Sequence, residues 1–154
     1  MSKKIFFAVF LMALGITAFS QEKKVAAGVG LEFNMDSRHN FAGGASVHFD
    51  YALPKNSALG LFISANTNFF GINVIESAIF YRAYFPENDH SGFFVQPYAG
   101  VFVIFEDGEI TPLPLLGVGG GYRFLLGSSF YLEPVGRLGY PYAFGIGLVA
   151  GMRF

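Results

Sequence analysis

The residues of this 154-residue chain that could do chemistry are three histidines, one glycine run and a set of charges at even spacing. Asp36, Ser37 and His39 stand together in one polar segment. They supply the types an acyl-transfer or hydrolytic site needs: a hydroxyl nucleophile, an imidazole base and a carboxylate to orient it. Ser and Asx side chains in a turn also bond their own backbone, so loop polarity alone accounts for the same residues. His48 and His90 show no i, i+4 pairing and the chain has no Cys, so no metal site and no disulfide is expected. Gly117-Val118-Gly119-Gly120-Gly121-Tyr122 imitates a dinucleotide loop, but its sixth position is Tyr and no helix pattern follows. The reading therefore assigns no catalytic residue, no metal and no cofactor. Ten Lys+Arg against eleven Asp+Glu give a net charge of −1, which offers nucleic acid no electrostatic footing.

The charges say more than the histidines. Glu76/Arg82 and Glu133/Arg137 are six and four positions apart, so in a strand both members of each pair share one face. From residue 24 onward apolar and polar residues alternate with period two, between clusters of turn-forming residues. The last stretch shows it: Phe144, Ile146, Leu148, Ala150, Met152 and Phe154 occupy one parity and Gly145, Gly147, Gly151 and Arg153 the other. No helix tolerates that glycine density. The pattern predicts eight strands, at about 24–34, 41–53, 58–68, 73–85, 93–105, 113–125, 130–140 and 142–154. Glu32, Asp50, Glu76, Arg82, Arg123, Glu133, Arg137 and Arg153 all fall opposite the aliphatic stripe of their strands, four acidic and four basic.

The first twenty residues read differently. Lys3 and Lys4 precede an uncharged, mostly apolar run at 5–19, and Ala18 and Ser20 put small residues at −3 and −1 before Gln21, the pattern of a cleaved export signal. Fifteen residues are too few for a membrane-spanning helix, which needs roughly 20. The expected division is a signal at 1–20 and one domain at 21–154, its 134 residues carrying a charge of −3.

Parity does not say which face of a closed sheet is inside. A soluble barrel puts its apolar stripe inward, and a membrane barrel puts it outward. Eight charges among many glycines and alanines cannot solvate the outside of 134 residues, whereas a stripe devoid of charge suits hydrocarbon. A bilayer admits strands only as a closed barrel, because every backbone group must be paired. Strand ends agree. Phe49-Asp50-Tyr51, Tyr81-Arg82-Ala83, Tyr122-Arg123-Phe124 and Met152-Arg153-Phe154 would place aromatics at one interface, with the charge between them turned inward. Gln96-Pro97 and Glu133-Pro134 are expected at bulges near that same rim, since proline removes a ladder hydrogen bond.

An export signal, eight alternating strands, short turns and a terminal Phe154 resemble the small outer-membrane β-barrels of diderm bacteria, of the outer membrane protein A transmembrane domain, OmpX and OmpW kind. The resemblance implies an all-β, antiparallel, up-and-down transmembrane barrel. Met152, Arg153 and Phe154 would then be an assembly signal, and the partners outer-membrane lipids and the barrel assembly machinery. The loops near 35–40, 69–72, 106–112 and 140–142 would face outward, too short for most adhesins. A barrel of this size holds side chains or one small ligand rather than a channel. The eight inward charges are expected to form a lumen network, Glu32, Asp50, Glu76 and Glu133 among Arg82, Arg123, Arg137 and Arg153. Phe62, Tyr84, Tyr98 and Phe102 are expected to fill the side left bare by Gly28, Gly30, Gly117, Gly119, Gly121, Gly145, Gly147 and Gly151. The expected role is non-enzymatic, structural or surface-interacting, in a monomer. A lipid-binding or lipid-A-modifying barrel that uses the lumen or loop one is the alternative.

Overall fold

The computed structural model describes residues 23–36, 40–68, 73–85, 90–106 and 108–154. The expected signal at 1–20 lies outside them, as do Ser37 and His39 of the first loop. The strands are β1 (Val25–Asp36), β2 (Phe41–Leu53), β3 (Ser57–Thr67), β4 (Asn73–Phe85), β5 (Gly92–Glu106), β6 (Glu109–Leu126), β7 (Phe130–Tyr140) and β8 (Tyr142–Arg153). Each pairs antiparallel with the next, and β8 returns to β1 with Leu31 opposite Leu148, so the sheet is a closed barrel. An even strand number is what lets an all-antiparallel sheet close. The termini and the β2–β3, β4–β5 and β6–β7 turns share one end, the near rim. The other four connections form the far rim.

Burial alternates along the strands, buried on the face that carries the charges and exposed on the aliphatic one. Leu31 is 73% and Ile79 64% exposed, while Phe94 and Glu76 are 0% exposed in the interior. The outward band is aliphatic at mid-height, with Val29, Val47, Ile63, Ile75, Val118 and Leu148 exposed. Aromatics crowd its borders: Tyr51, Tyr81, Phe85, Phe93, Tyr122 and Phe130 toward the near rim, Phe33, Phe41, Tyr140 and Phe144 toward the far one.

Two expectations need correction. First, residues 106–112 are not a loop. Glu106 pairs with Glu109, and Gly108 (φ 84°) supplies the left-handed residue of a tight turn, so β6 starts at Glu109 and runs through Pro112 and Pro114. These prolines do not break the strand because β6 pairs with β7 only from Leu116 on. Pro112 and Pro114 share a parity, so their missing donors fall on the free edge and the β5 ladder is intact.

Second, Pro97 and Pro134 cause no bulge. The β4–β5 ladder runs to Phe80↔Tyr98 and resumes at Ala83↔Val95, and the β6–β7 ladder breaks between Gly121↔Val135 and Phe124↔Leu132, with no residue inserted in either. Each proline costs its strand two pairings and leaves the register unchanged. A register shift does occur elsewhere, at Met35/Asp36 against β8.

Candidate functional site

The interior is polar at two levels separated by a mostly apolar layer. Near the far rim, Arg137 on β7 reaches across the barrel to Glu76 on β4 in a two-pronged contact, Nη1 donating to Oε2 at 2.6 Å and Nη2 to Oε1 at 3.0 Å. Arg137 Nη2 also lies 3.3 Å from Glu32 Oε1 on β1 and donates to Asn34 Oδ1 at 2.9 Å. Asn66 on β3 ties both acids together, its Nδ2 donating to Glu32 Oε1 at 2.7 Å and to Glu76 Oε1 at 3.3 Å. Gly145 makes room for this arginine: a Cβ there would lie 2.9 Å from Arg137 Cγ. Two carboxyl groups face one guanidinium, so the far cluster has one more acid than base.

The near cluster is balanced. Arg123 on β6 grips Asp50 on β2, Nη2 donating to Oδ2 at 2.7 Å, and its Nε donates to Glu133 on β7. Arg82 on β4 donates to Glu133 Oε1 at 2.8 Å and to Gln96 Oε1 at 2.8 Å, and stands 3.7 Å from Asp50. Aromatic faces complete the packing, with Phe94 4.0 Å from the Arg82 guanidinium carbon and Tyr131 4.3 Å from that of Arg123. Arg82 and Arg123 are 1% and 2% exposed. Charges so far from water are tolerable only when paired and hydrogen-bonded, as here.

The two interrupted ladders serve this cluster. The unpaired positions are Tyr81/Pro97 with Arg82/Gln96, and Tyr122/Pro134 with Arg123/Glu133. In both hairpins an arginine inside the barrel bonds the residue before the proline on the neighbouring strand.

Seven of the eight expected lumen charges thus fall into two groups rather than one: Glu32, Glu76 and Arg137 far, Asp50, Arg82, Arg123 and Glu133 near. Arg153 is buried at the near rim opposite Ala26. Met152 is turned outward, and Phe154 N donates to Val25 O at 2.8 Å, closing the seam between the termini. Asn34, Ser64, Asn66 and Gln96 were missed as network members, although each shares the buried parity of its strand.

The bare glycine wall is filled, partly by residues other than those expected. Tyr98 lies over Gly117 and Gly139 on the next two strands after its own. Gly28 and Gly151 are covered by Tyr131, and Gly121 by Phe94. Phe62 packs on His48, and Phe102 packs edge-on against Tyr142 below the far mouth. Between the clusters a cavity of about 30 Å³ remains, too small for an acyl chain. His90 sits at the near rim, its Nε2 2.9 Å from Leu53 O, tying the β4–β5 connection to the β2–β3 turn. Among the described residues no group of three metal-ligating side chains occurs.

No family model and no curated protein matches the chain. Solved structures do. Neisserial surface protein A aligns at TM-score 0.59 and 13% identity over 84% of this chain and 94% of that one. The Yersinia pestis outer membrane protein Ail aligns at 0.56 and 12% identity over 86% and 100%. The N-terminal β-barrel domain of Pseudomonas aeruginosa OprF aligns at 0.52 and 16% identity over 84% and 97%. At these identities the likeness is one of fold: the chain has the fold of the small eight-stranded outer-membrane barrels.

Proposed function

We propose that this chain is an integral protein of the bacterial outer membrane, non-enzymatic, with a lumen plugged by side chains and an envelope-structural or surface-interaction role. The observation that carries the reading is the outward band, in which large aliphatic side chains as exposed as Leu31 and Ile79 are bordered by aromatics, with the strand charges turned inside. In water such a band would be an aggregation surface; in hydrocarbon it is the required solvent contact. The fold shared with Ail and Neisserial surface protein A supports the same location.

In this reading the near rim faces the periplasm and residues 1–20 direct export. Met152, Arg153 and Phe154 present the final strand to the assembly machinery, outer-membrane lipids surround the band, and the protein acts as a monomer. The eight lumen charges act as a plug, since the interior retains only small voids between the clusters. The test is fractionation with electrophoresis: the protein should be recovered with outer membranes and, unboiled, migrate differently from the boiled sample. Recovery from aqueous extracts as a dissolved monomer would sink the proposal.

A second reading has one observation in its favour. The far mouth holds a cavity of about 490 Å³ floored by Val74, Phe102, Leu113 and Tyr142, large enough for part of a lipid. If the barrel modifies lipid there, incubation with lipopolysaccharide or phospholipid should yield an acyl gain or loss by mass spectrometry, abolished by His39→Ala; if it only binds lipid, intact lipid should co-purify with it.

A further inference from the structure

His48 on β2 occupies the layer between the two ion clusters, and neither cluster uses it. It is 92% buried, stacks on Phe62 with ring centroids 5.7 Å apart, and shares a 2.9 Å hydrogen bond between its Nε2 and Ser46 Oγ. Its other ring nitrogen has no partner in the protein: among the described residues, His48 Nδ1 is the one buried side-chain nitrogen or oxygen left without a hydrogen bond. Buried polar groups in folded proteins are nearly always satisfied, so such an atom calls for a partner that the protein's own groups do not supply.

His48 lines the cavity of about 30 Å³. Its wall includes Glu32 and Arg137 from the far cluster and Gln96 from the near one, with Tyr98 beside them. A cavity needs about 10–15 Å³ of such space per water, so two fit, and a water needs two to four polar partners. We propose that this cavity is a buried hydration site, in which one or two water molecules satisfy His48 Nδ1 and join the two ion clusters into one hydrogen-bonded column.

Water fits the chemistry better than any other small occupant. The Ser46 bond leaves Nδ1 as either a donor or an acceptor, according to which nitrogen holds the proton, and water satisfies both cases. The Arg137 guanidinium in the wall disfavours a metal cation, and the acid Glu32 disfavours an anion. Phe62, Val135 and Val149 line it from inside, and Leu31, Ile146 and Gly147 bound it at the β1–β8 wall, an apolar lining that limits the site to isolated waters rather than a conducting file. The inference rests on the lumen geometry alone and not on the membrane location.

The test uses the full mature chain refolded in detergent micelles, with ¹⁵N-labelled histidine. Water–protein NOE spectra should show a cross-peak from a slowly exchanging water to the His48 ring protons, and His48→Phe should abolish the water peaks at Tyr98 as well. If His48→Phe does not refold, Val149→Ile fills the cavity from β8 while keeping His48, and the ring's water peaks should vanish. Absence of water peaks in the folded wild type overturns the proposal. So do water peaks that survive both substitutions, or a long-range coupling that places His48 Nδ1 on a protein group.

Discussion

Arg137 faces two carboxylates where Arg82 and Arg123 share two, and the imbalance makes the far cluster's members unequal. Arg137→Met leaves Glu32 and Glu76 together without a cation and should cost about 3–5 kcal/mol, the range for breaking a buried pair. Glu76→Gln leaves a one-to-one pair of Glu32 with Arg137 and keeps an amide near the Asn66 donor, so its cost should be nearer 1 kcal/mol. Urea unfolding of both variants in lipid vesicles checks the order, and equal midpoints would contradict it. Packing supplies a second test. A methyl group on Gly28 would lie 2.5 Å from the Tyr131 hydroxyl and 2.8 Å from Val149 Cγ1. Gly28→Ala should therefore destabilise by about 1–3 kcal/mol, and Tyr131→Phe should recover part of that loss in the double variant. The inward parity of Glu32, Glu76 and Arg137 was legible because a strand alternates its faces; that Arg137 meets Glu76 from three strands away was not, because period two says nothing about distance across a lumen.

At the scale of the strand, proline is informative twice. Pro97 and Pro134 interrupt their ladders beside the near cluster without shifting register, and the expectation of bulges failed because a lost hydrogen bond need not insert a residue. Pro112 and Pro114 lie where β6 projects beyond β7. A projecting strand offers unpaired donors and acceptors to another chain, and two prolines remove donors from that edge. The double substitution Pro112→Thr/Pro114→Thr restores the donors. It is expected to yield larger species than the parent chain forms, visible by light scattering after size exclusion in detergent, with heat-modifiable migration retained. The reading of 106–112 as a loop gave Pro112 and the Asp107-Gly108 turn signal one explanation. They need two, a tight turn at Gly108 and an edge strand after it, and only the neighbour's length distinguishes them.

For the molecule as a whole, the decisive variable is the solvent on the outward face. If hydrocarbon wets it, a charge should be costly at mid-height and tolerated near a rim. Leu31→Lys is expected to lose about 2–4 kcal/mol and Tyr51→Lys about 0–1 kcal/mol, measured by equilibrium unfolding in phospholipid vesicles. A depth-independent cost would argue against a bilayer. The strand count, the face that each charge takes and the uncharged outward stripe were all determined by the sequence, because alternation is a local property fixed by backbone geometry. The partition of the charges into a balanced near cluster and an acid-rich far one, the filling of glycine sockets by Tyr131 and Phe94, and the orphaned nitrogen of His48 were decided only by the closed barrel. Closure sets which heights on opposite walls coincide, and contacts across a lumen join residues as far apart in the chain as Asp50 and Arg123, a separation over which no spacing rule operates.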